Sequence, residues 1–206
     1  EMPGIYSGEA YDLAGFCVGI VERDKLIEGT TISPGDVLLA LPSSGAHANG
    51  YSLIRHILNR HPNPHEEIVA DQPLLDQLLT PTRIYVNTIL DLLGNVPIKG
   101  LAHITGGGLP ENLPRMLPAS CAAHLDSWQW PEIFNWLAKH GIIATDVMLR
   151  TFICGVGFVL CVEAEDAQSA LEHLHALGSE AWQLGVIDAS EHAGVPGGIL
   201  INGATP

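Results

Sequence analysis

The chain has 206 residues, 47% of them hydrophobic and 16% charged, which is enough apolar material for a sizeable core and excludes a disordered segment. Nine Lys plus Arg stand against 23 Asp plus Glu, a formal net charge of -14 that opposes nonspecific binding to nucleic acid or to an anionic membrane. A small phosphorylated ligand is still allowed, because backbone N–H groups hold an anion without a basic surface.

The opening residues, EMPGIYSGEAYD, are neither a signal peptide nor a tag, and residues 1–12 are expected to form an extended arm ahead of a domain over 13–206. YDLAGFCVGIVER (11–23) is rich in β-branched and small residues without helical periodicity, and predicts a long strand. ISPGD (32–36) predicts a type II turn, with Pro second and Gly third. VLLALPSS (37–44) predicts an apolar strand covered on both faces. The helix after it sets Leu53, Ile54, Ile57 and Leu58 on one side, with Arg55 and Arg60 largely on another.

HPNPHEEIVADQP (61–73), with three prolines, reads as a flexible crossing. Thr80 and Pro81 predict the cap and first residue of a helix carrying Tyr85, Ile89 and Leu92 on one face and ending near Gly94. KGLAHIT (99–105) predicts a strand, TGGG a tight loop, PENLPRML a short helix and CAAHLD another strand. Pro131 opens a helix holding Phe134 and Trp136, and Trp128, Trp130 and Trp136 read as core. ICGVGFVLCVEA (153–164) predicts a strand, and DAQSALEHLHAL (166–177) a helix stopped by Gly178. AWQLGVIDA and GGILIN close the chain as strands. This alternation predicts an α/β fold, a layered sandwich with a mixed sheet covered by helices.

Cys17, Cys121, Cys154 and Cys161 form no CxxC pair and show no zinc spacing, so four reduced, mostly buried thiols in a cytosolic protein are expected. No apolar stretch approaches the ~20 residues of a membrane helix. His61 and His65 are split by PNP, and His173 and His175 point to different helix faces, so no metal site is expected.

Three segments combine glycine with polar side chains at a strand end or helix start: SSGAHANG (43–50), HITGGGLPEN (103–112) and RTFICGVG (150–157). A helix N-terminus contributes ~0.3–1 kcal/mol to anion binding, or ~2 when partly buried. Micromolar affinity needs about 8 kcal/mol, so side chains such as His47, Asn49 or Asn112 would have to supply the rest. Plainer readings stand beside this one. Ser44 and Gly45 could simply cap a helix, TGGG could be a loose turn, and Gly155 and Gly157 could let another backbone pass closely. GxGxxG is incomplete, no Lys-Ser/Thr follows TGGG, and no GxSxG elbow is present. The residues alone therefore point to a small anionic ligand and name no reaction.

Six blocks carry a resemblance further: residues 1–23, DVLLALPSSGAHANGYSLIR, LLTPTRIYV, LAHITGGGLPENLPRMLP, WQWPEIFNWL and RTFICGVGF. In this order they resemble the C-terminal part of the phosphoribosylformylglycinamidine cyclo-ligases, the aminoimidazole ribonucleotide synthetases of purine biosynthesis. The likeness fades after about Asp188. It implies ATP-dependent ring closure of formylglycinamidine ribonucleotide in the cytoplasm by a homodimer, with no nucleic-acid or membrane partner. ATP and Mg²⁺ would be bound mainly by a preceding half, to which the arm would lead. His47 and His103 are the implied catalytic candidates. Ser44, Gly45, Asn49, Thr105, Gly106, Gly107, Gly108 and Asn112 are the implied substrate-binding residues, and none is a metal ligand. Departures from the family pattern are Ile153 for Asn, Ala48 for Ser, and Leu109–Pro110 for an aromatic-plus-polar pair. Two rivals share these features less well. One is another ATP-using enzyme of the superfamily, such as formylglycinamide amidotransferase, selenophosphate synthetase or thiamine-phosphate kinase. The other is a noncatalytic assembly module.

Overall fold

The structure is a computed structural model describing residues 15–190 and 198–202. Its centre is β1 (Val37–Pro42), whose five leading residues are all buried. Alternation along it feeds two cores. Leu38 and Ala40 join the larger cluster, while Val37, Leu39 and Leu41 join the smaller one on the other face. Each fully buried leucine contributes roughly 1.5–3 kcal/mol, so covering both faces is what selects this apolar run.

The larger core lies under α1 (Tyr51–Arg60), α2 (Leu74–Leu78), α4 (Gly108–Asn112), α5 (Glu132–Gly141) and α6 (Thr145–Thr151). The smaller one lies under α3 (Val86–Leu93) and α7 (Ala167–Ala176). A hairpin of β2 (Ile68–Val69) and β3 (Gln72–Pro73) sits apart from the main sheet. That sheet also contains β4 (Gly100–His103), β5 (Cys121–Leu125), β6 (Val156–Val162), β7 (Trp182–Ala189) and β8 (Ile199–Ile201). The order is β4-β6-β1-β7-β5-β8. All neighbours are antiparallel except the parallel pair β5 and β8, which makes the sheet mixed as expected. At one end of it Lys99 Nζ donates to Asp36 at 2.8 Å and lies 3.1 Å from Glu163 Oε1, tying the starts of β1 and β4 to the end of β6.

The turn at Ser33–Asp36 forms as expected, with Asp36 N–H donating to Ser33 O and Gly35 at φ 97°. Trp128, Trp130 and Trp136 are buried. Cys121, Cys154 and Cys161 are buried free thiols, whereas Cys17 is exposed.

Several expectations are corrected. Residues 15–22 form no strand: Phe16 and Ile20 are 94% and 100% exposed, and a 3-10 turn follows at Arg23–Lys25. β-propensity becomes a strand only where a partner backbone pairs, and none of the described residues pairs with this stretch. Residues 11–14, and with them the arm over 1–12, lie outside the described residues. The crossing at 61–73 ends in a hairpin, β2 and β3. Ala70 and Asp71 both take positive φ, the geometry of a tight hairpin turn, and Gln77 Nε2 ties Val69 O at 2.6 Å. The third helix begins at Val86 rather than Pro81, because contacts described below hold 81–85 against the first glycine loop. Tyr85, Ile89 and Leu92 are nonetheless its buried residues, and Gly94 caps it. β6 begins at Val156 rather than Ile153, after a turn with positive φ at Cys154 and Gly155.

Candidate active site

Strands β4, β6 and β1 are neighbours, and their antiparallel pairing brings the end of β4, the start of β6 and the end of β1 to one edge of the sheet. Pro42 lies opposite Val156, and His103 opposite Phe158. The three glycine segments are therefore brought together. Ser43 N–H donates to Gly155 O at 2.9 Å, and Ile104 N–H to Gly157 O at 3.0 Å. A methyl group on Gly106 would meet Asn49 Oδ1 at 3.8 Å, so the first two loops face each other. Gly108, at φ 59°, is pressed against the Leu149 and Phe152 carbonyls, where a side chain could not fit.

The first loop does not cap the helix that follows it. Gly50 occupies the cap position of α1 in the left-handed conformation, and no side chain hydrogen-bonds to the first turn. Those N–H groups remain open to a ligand. The polar residues of the loop do other work. Ser44 Oγ donates to Pro81 O at 2.7 Å. His47, only 5% exposed, accepts at Nε2 from Ser44 N–H at 3.0 Å and from Arg83 N–H at 3.3 Å. Two backbone donors on Nε2 place the ring proton on Nδ1, which is buried with no partner among the described residues. Burial first, then His103 and Arg83, push the His47 pKa down to about 4, so the ring is neutral at pH 7.

These bonds, with Tyr85 O–H donating to Pro42 O at 2.8 Å, hold residues 81–85 against the loop and delay the start of α3. Gly157 is glycine because the Tyr85 hydroxyl and the His47 ring occupy the space a side chain would need. Burial raises the Tyr85 pKa further above its ordinary value, keeping the phenol protonated as that donor.

Asn112 is buried and fully engaged. Its Nδ2 donates to Gly108 O at 2.8 Å and Gly106 O at 3.1 Å, and its Oδ1 accepts from Thr105 Oγ1 at 3.2 Å. It shapes the TGGG loop from beneath. Asn49 Nδ2 donates to His47 O at 2.9 Å. His103 is exposed at the end of β4, stacked on Phe158 with centroids 5.9 Å apart and edge-on to Tyr85 at 6.0 Å. Arg83 lies 5.9 Å from the Tyr85 ring centre. Arg83 and His103 both line a groove of about 430 Å³ walled by Tyr85, Ile89, Leu101 and Phe158. Sequence reasoning missed Arg83, although a lone cation in TPTRIYV, on a chain with so few, was the available signal.

Of the departures, Ile153 is fully buried in the larger core, and Ala48 is exposed at φ 58°.

Residues 33–197 match the family described as AIR synthase related protein, C-terminal domain. The chain belongs to this family. Several solved structures share the fold. Hydrogenase maturation protein HypE is 16% identical, with 88% of this chain and 53% of that one aligned at a TM-score of 0.58. Thiamine-monophosphate kinase from Stenotrophomonas maltophilia K279a is 17% identical, with 90% and 56% aligned at 0.60. HypE in complex with ATP is 17% identical, with 88% and 51% aligned at 0.54. The chain spans about half the length of these structures, and at such identity the likeness establishes the fold alone. No helix among the described residues is long and apolar enough to cross a membrane.

Proposed function

We infer that the chain is the substrate-side half of an ATP-dependent cyclo-ligase that closes formylglycinamidine ribonucleotide to aminoimidazole ribonucleotide in purine biosynthesis. The observation that carries this reading is the meeting of three glycine loops, an uncapped helix start and Arg83 at one sheet edge, in a member of this family. In the proposed reaction the γ-phosphoryl group of ATP passes to the substrate's amide oxygen, releasing ADP. The substrate's other nitrogen then attacks the activated carbon, the carbon–oxygen bond breaks, and phosphate leaves with that oxygen while the nitrogen loses its proton. Positioning and charge stabilisation are what such a site must supply.

Ser44, Gly45 and Asn49 would line the ribose-phosphate with Thr105, Gly106, Gly107 and Gly108, and Arg83 would face its charge. Asn112 would keep the second loop in shape. His103, exposed at the strand end, would take the proton. His47 would act by position, since its Nε2 lone pair is engaged by Ser44 and Arg83. The loops offer Mg²⁺ a poor cage: in 43–50, 79–85, 103–112 and 150–157 Glu111 is the sole carboxylate. ATP is assigned mainly to protein beyond this chain, and the whole enzyme to the cytoplasm as a homodimer.

The test is turnover by the complete gene product. ADP release and aminoimidazole formation should both require formylglycinamidine ribonucleotide, and Asn49→Ala and Arg83→Ala should each lower kcat/KM by about tenfold or more while leaving the fold intact. Phosphorylation of thiamine monophosphate instead, or no turnover by a folded protein, would overturn the reading.

A further inference from the structure

Away from the glycine loops, His61, Glu67 and His140 converge from three different elements, each offering one ligand atom, with those atoms all within 4.8 Å of one another. His61 caps the C-terminus of α1, Glu67 precedes β2, and His140 lies in the last turn of α5. We propose that this cluster binds a late divalent transition-metal ion of the Zn²⁺ class, pinning the β2–β3 hairpin to α1 and α5.

Three observations beyond proximity support it. First, His61 Nε2 and Glu67 Oε2 are 3.4 Å apart. Two ligands on tetrahedral zinc, with bonds of about 2.0–2.2 Å, stand roughly 3.4 Å from each other, so this pair already has the required spacing. Second, the carboxylate is oriented. Trp136 Nε1–H donates to Glu67 Oε1 at 3.1 Å, leaving Oε2 for an ion, which is the outer-shell arrangement that metal sites use. Third, the His140 ring is stacked on Trp136, with centroids 4.3 Å apart and 17° between planes. That indole therefore steadies two of the three ligands. The ligand set, two imidazoles and one carboxylate, suits zinc, cobalt or nickel better than Mg²⁺ or Ca²⁺, which prefer oxygen alone. A hollow of about 330 Å³ lined by Ile57, Arg60, His61, Pro62 and His140 leaves room for a water in the fourth position. His65 stands outside the cluster although it is close to His61 in sequence.

The site is tested by titrating Co²⁺ and Zn²⁺ into the reduced chain, following the ligand-field band of four-coordinate cobalt and the heat of zinc binding. One equivalent should bind. His140→Ala, which alters an exposed side chain, and Glu67→Gln should each weaken binding at least about tenfold. His65→Ala and Cys17→Ser should bind as the parent does. Absence of saturable binding would overturn the proposal, as would affinity unchanged in His140→Ala and Glu67→Gln or lost in Cys17→Ser. Both readouts are independent of ATP and of any ribonucleotide, so failure of the cyclo-ligase reading leaves this site standing, and the reverse holds too.

Discussion

The histidine centre at the glycine-loop edge and the one beside the hairpin differ in what their ring nitrogens already do. At His47 the Nε2 lone pair is engaged by the amides of Ser44 and Arg83, and the ring is sealed from solvent. Near α5, His140 is exposed, and its ring stacks on Trp136 and meets His61 edge-on. The first centre builds backbone; the second leaves nitrogen available. Residue type alone does not separate these roles, whereas burial and the inventory of engaged lone pairs do.

The sharpest way to break the loop edge is through the residue beneath it. Asn112→Asp replaces the Nδ2–H donations to Gly108 O and Gly106 O with a buried charge facing carbonyl oxygens, and should lower unfolding free energy by about 4 kcal/mol in urea titrations. His47→Leu keeps volume but orphans the amides of Ser44 and Arg83, and should lose about 3 kcal/mol in the same measurement. Acid supplies a third probe. With a pKa of about 4 in the fold against 6.5 for an ordinary histidine, His47 binds its proton more readily in the unfolded chain between those values. Stability is full above about pH 6.5 and falls as pH drops toward 4, by up to roughly 3 kcal/mol. The His47→Leu variant should lack that portion of the decline, seen by comparing unfolding midpoints across pH. The smallest effect is expected at the other centre. Without added metal, His140→Ala should shift stability by no more than about 0.5 kcal/mol, because its side chain is exposed. A larger loss there would erase the contrast.

Much of the frame was readable where local pattern and burial agree. β1 shows as an apolar run, and the Tyr85–Ile89–Leu92 stripe faces the core even though its helix starts late. The late start was hidden because Thr80–Pro81 is a sound local cap signal, overruled by bonds from His47, Ser44 and Tyr85 that come from distant sequence. The hairpin was hidden because Ala70 and Asp71 adopt positive φ without the Asn-Gly chemistry that advertises such a turn. At the candidate site, each glycine segment could be picked out singly. Their meeting depends on strand order β4-β6-β1, which one-dimensional spacing does not encode. The same blindness hid His140, which only the packing of α5 against α1 brings to His61.

Because the three loops spring from adjacent rungs of one hydrogen-bonded ladder, their roots move as a unit, and the distance between them is set by strand spacing rather than by loop sequence. Substitution at an exposed loop position such as Ala48 can therefore change the chemistry a loop presents while the chassis keeps its dimensions. That separation gives a single architecture the latitude to serve proteins whose sequences have diverged as far as those that share it here.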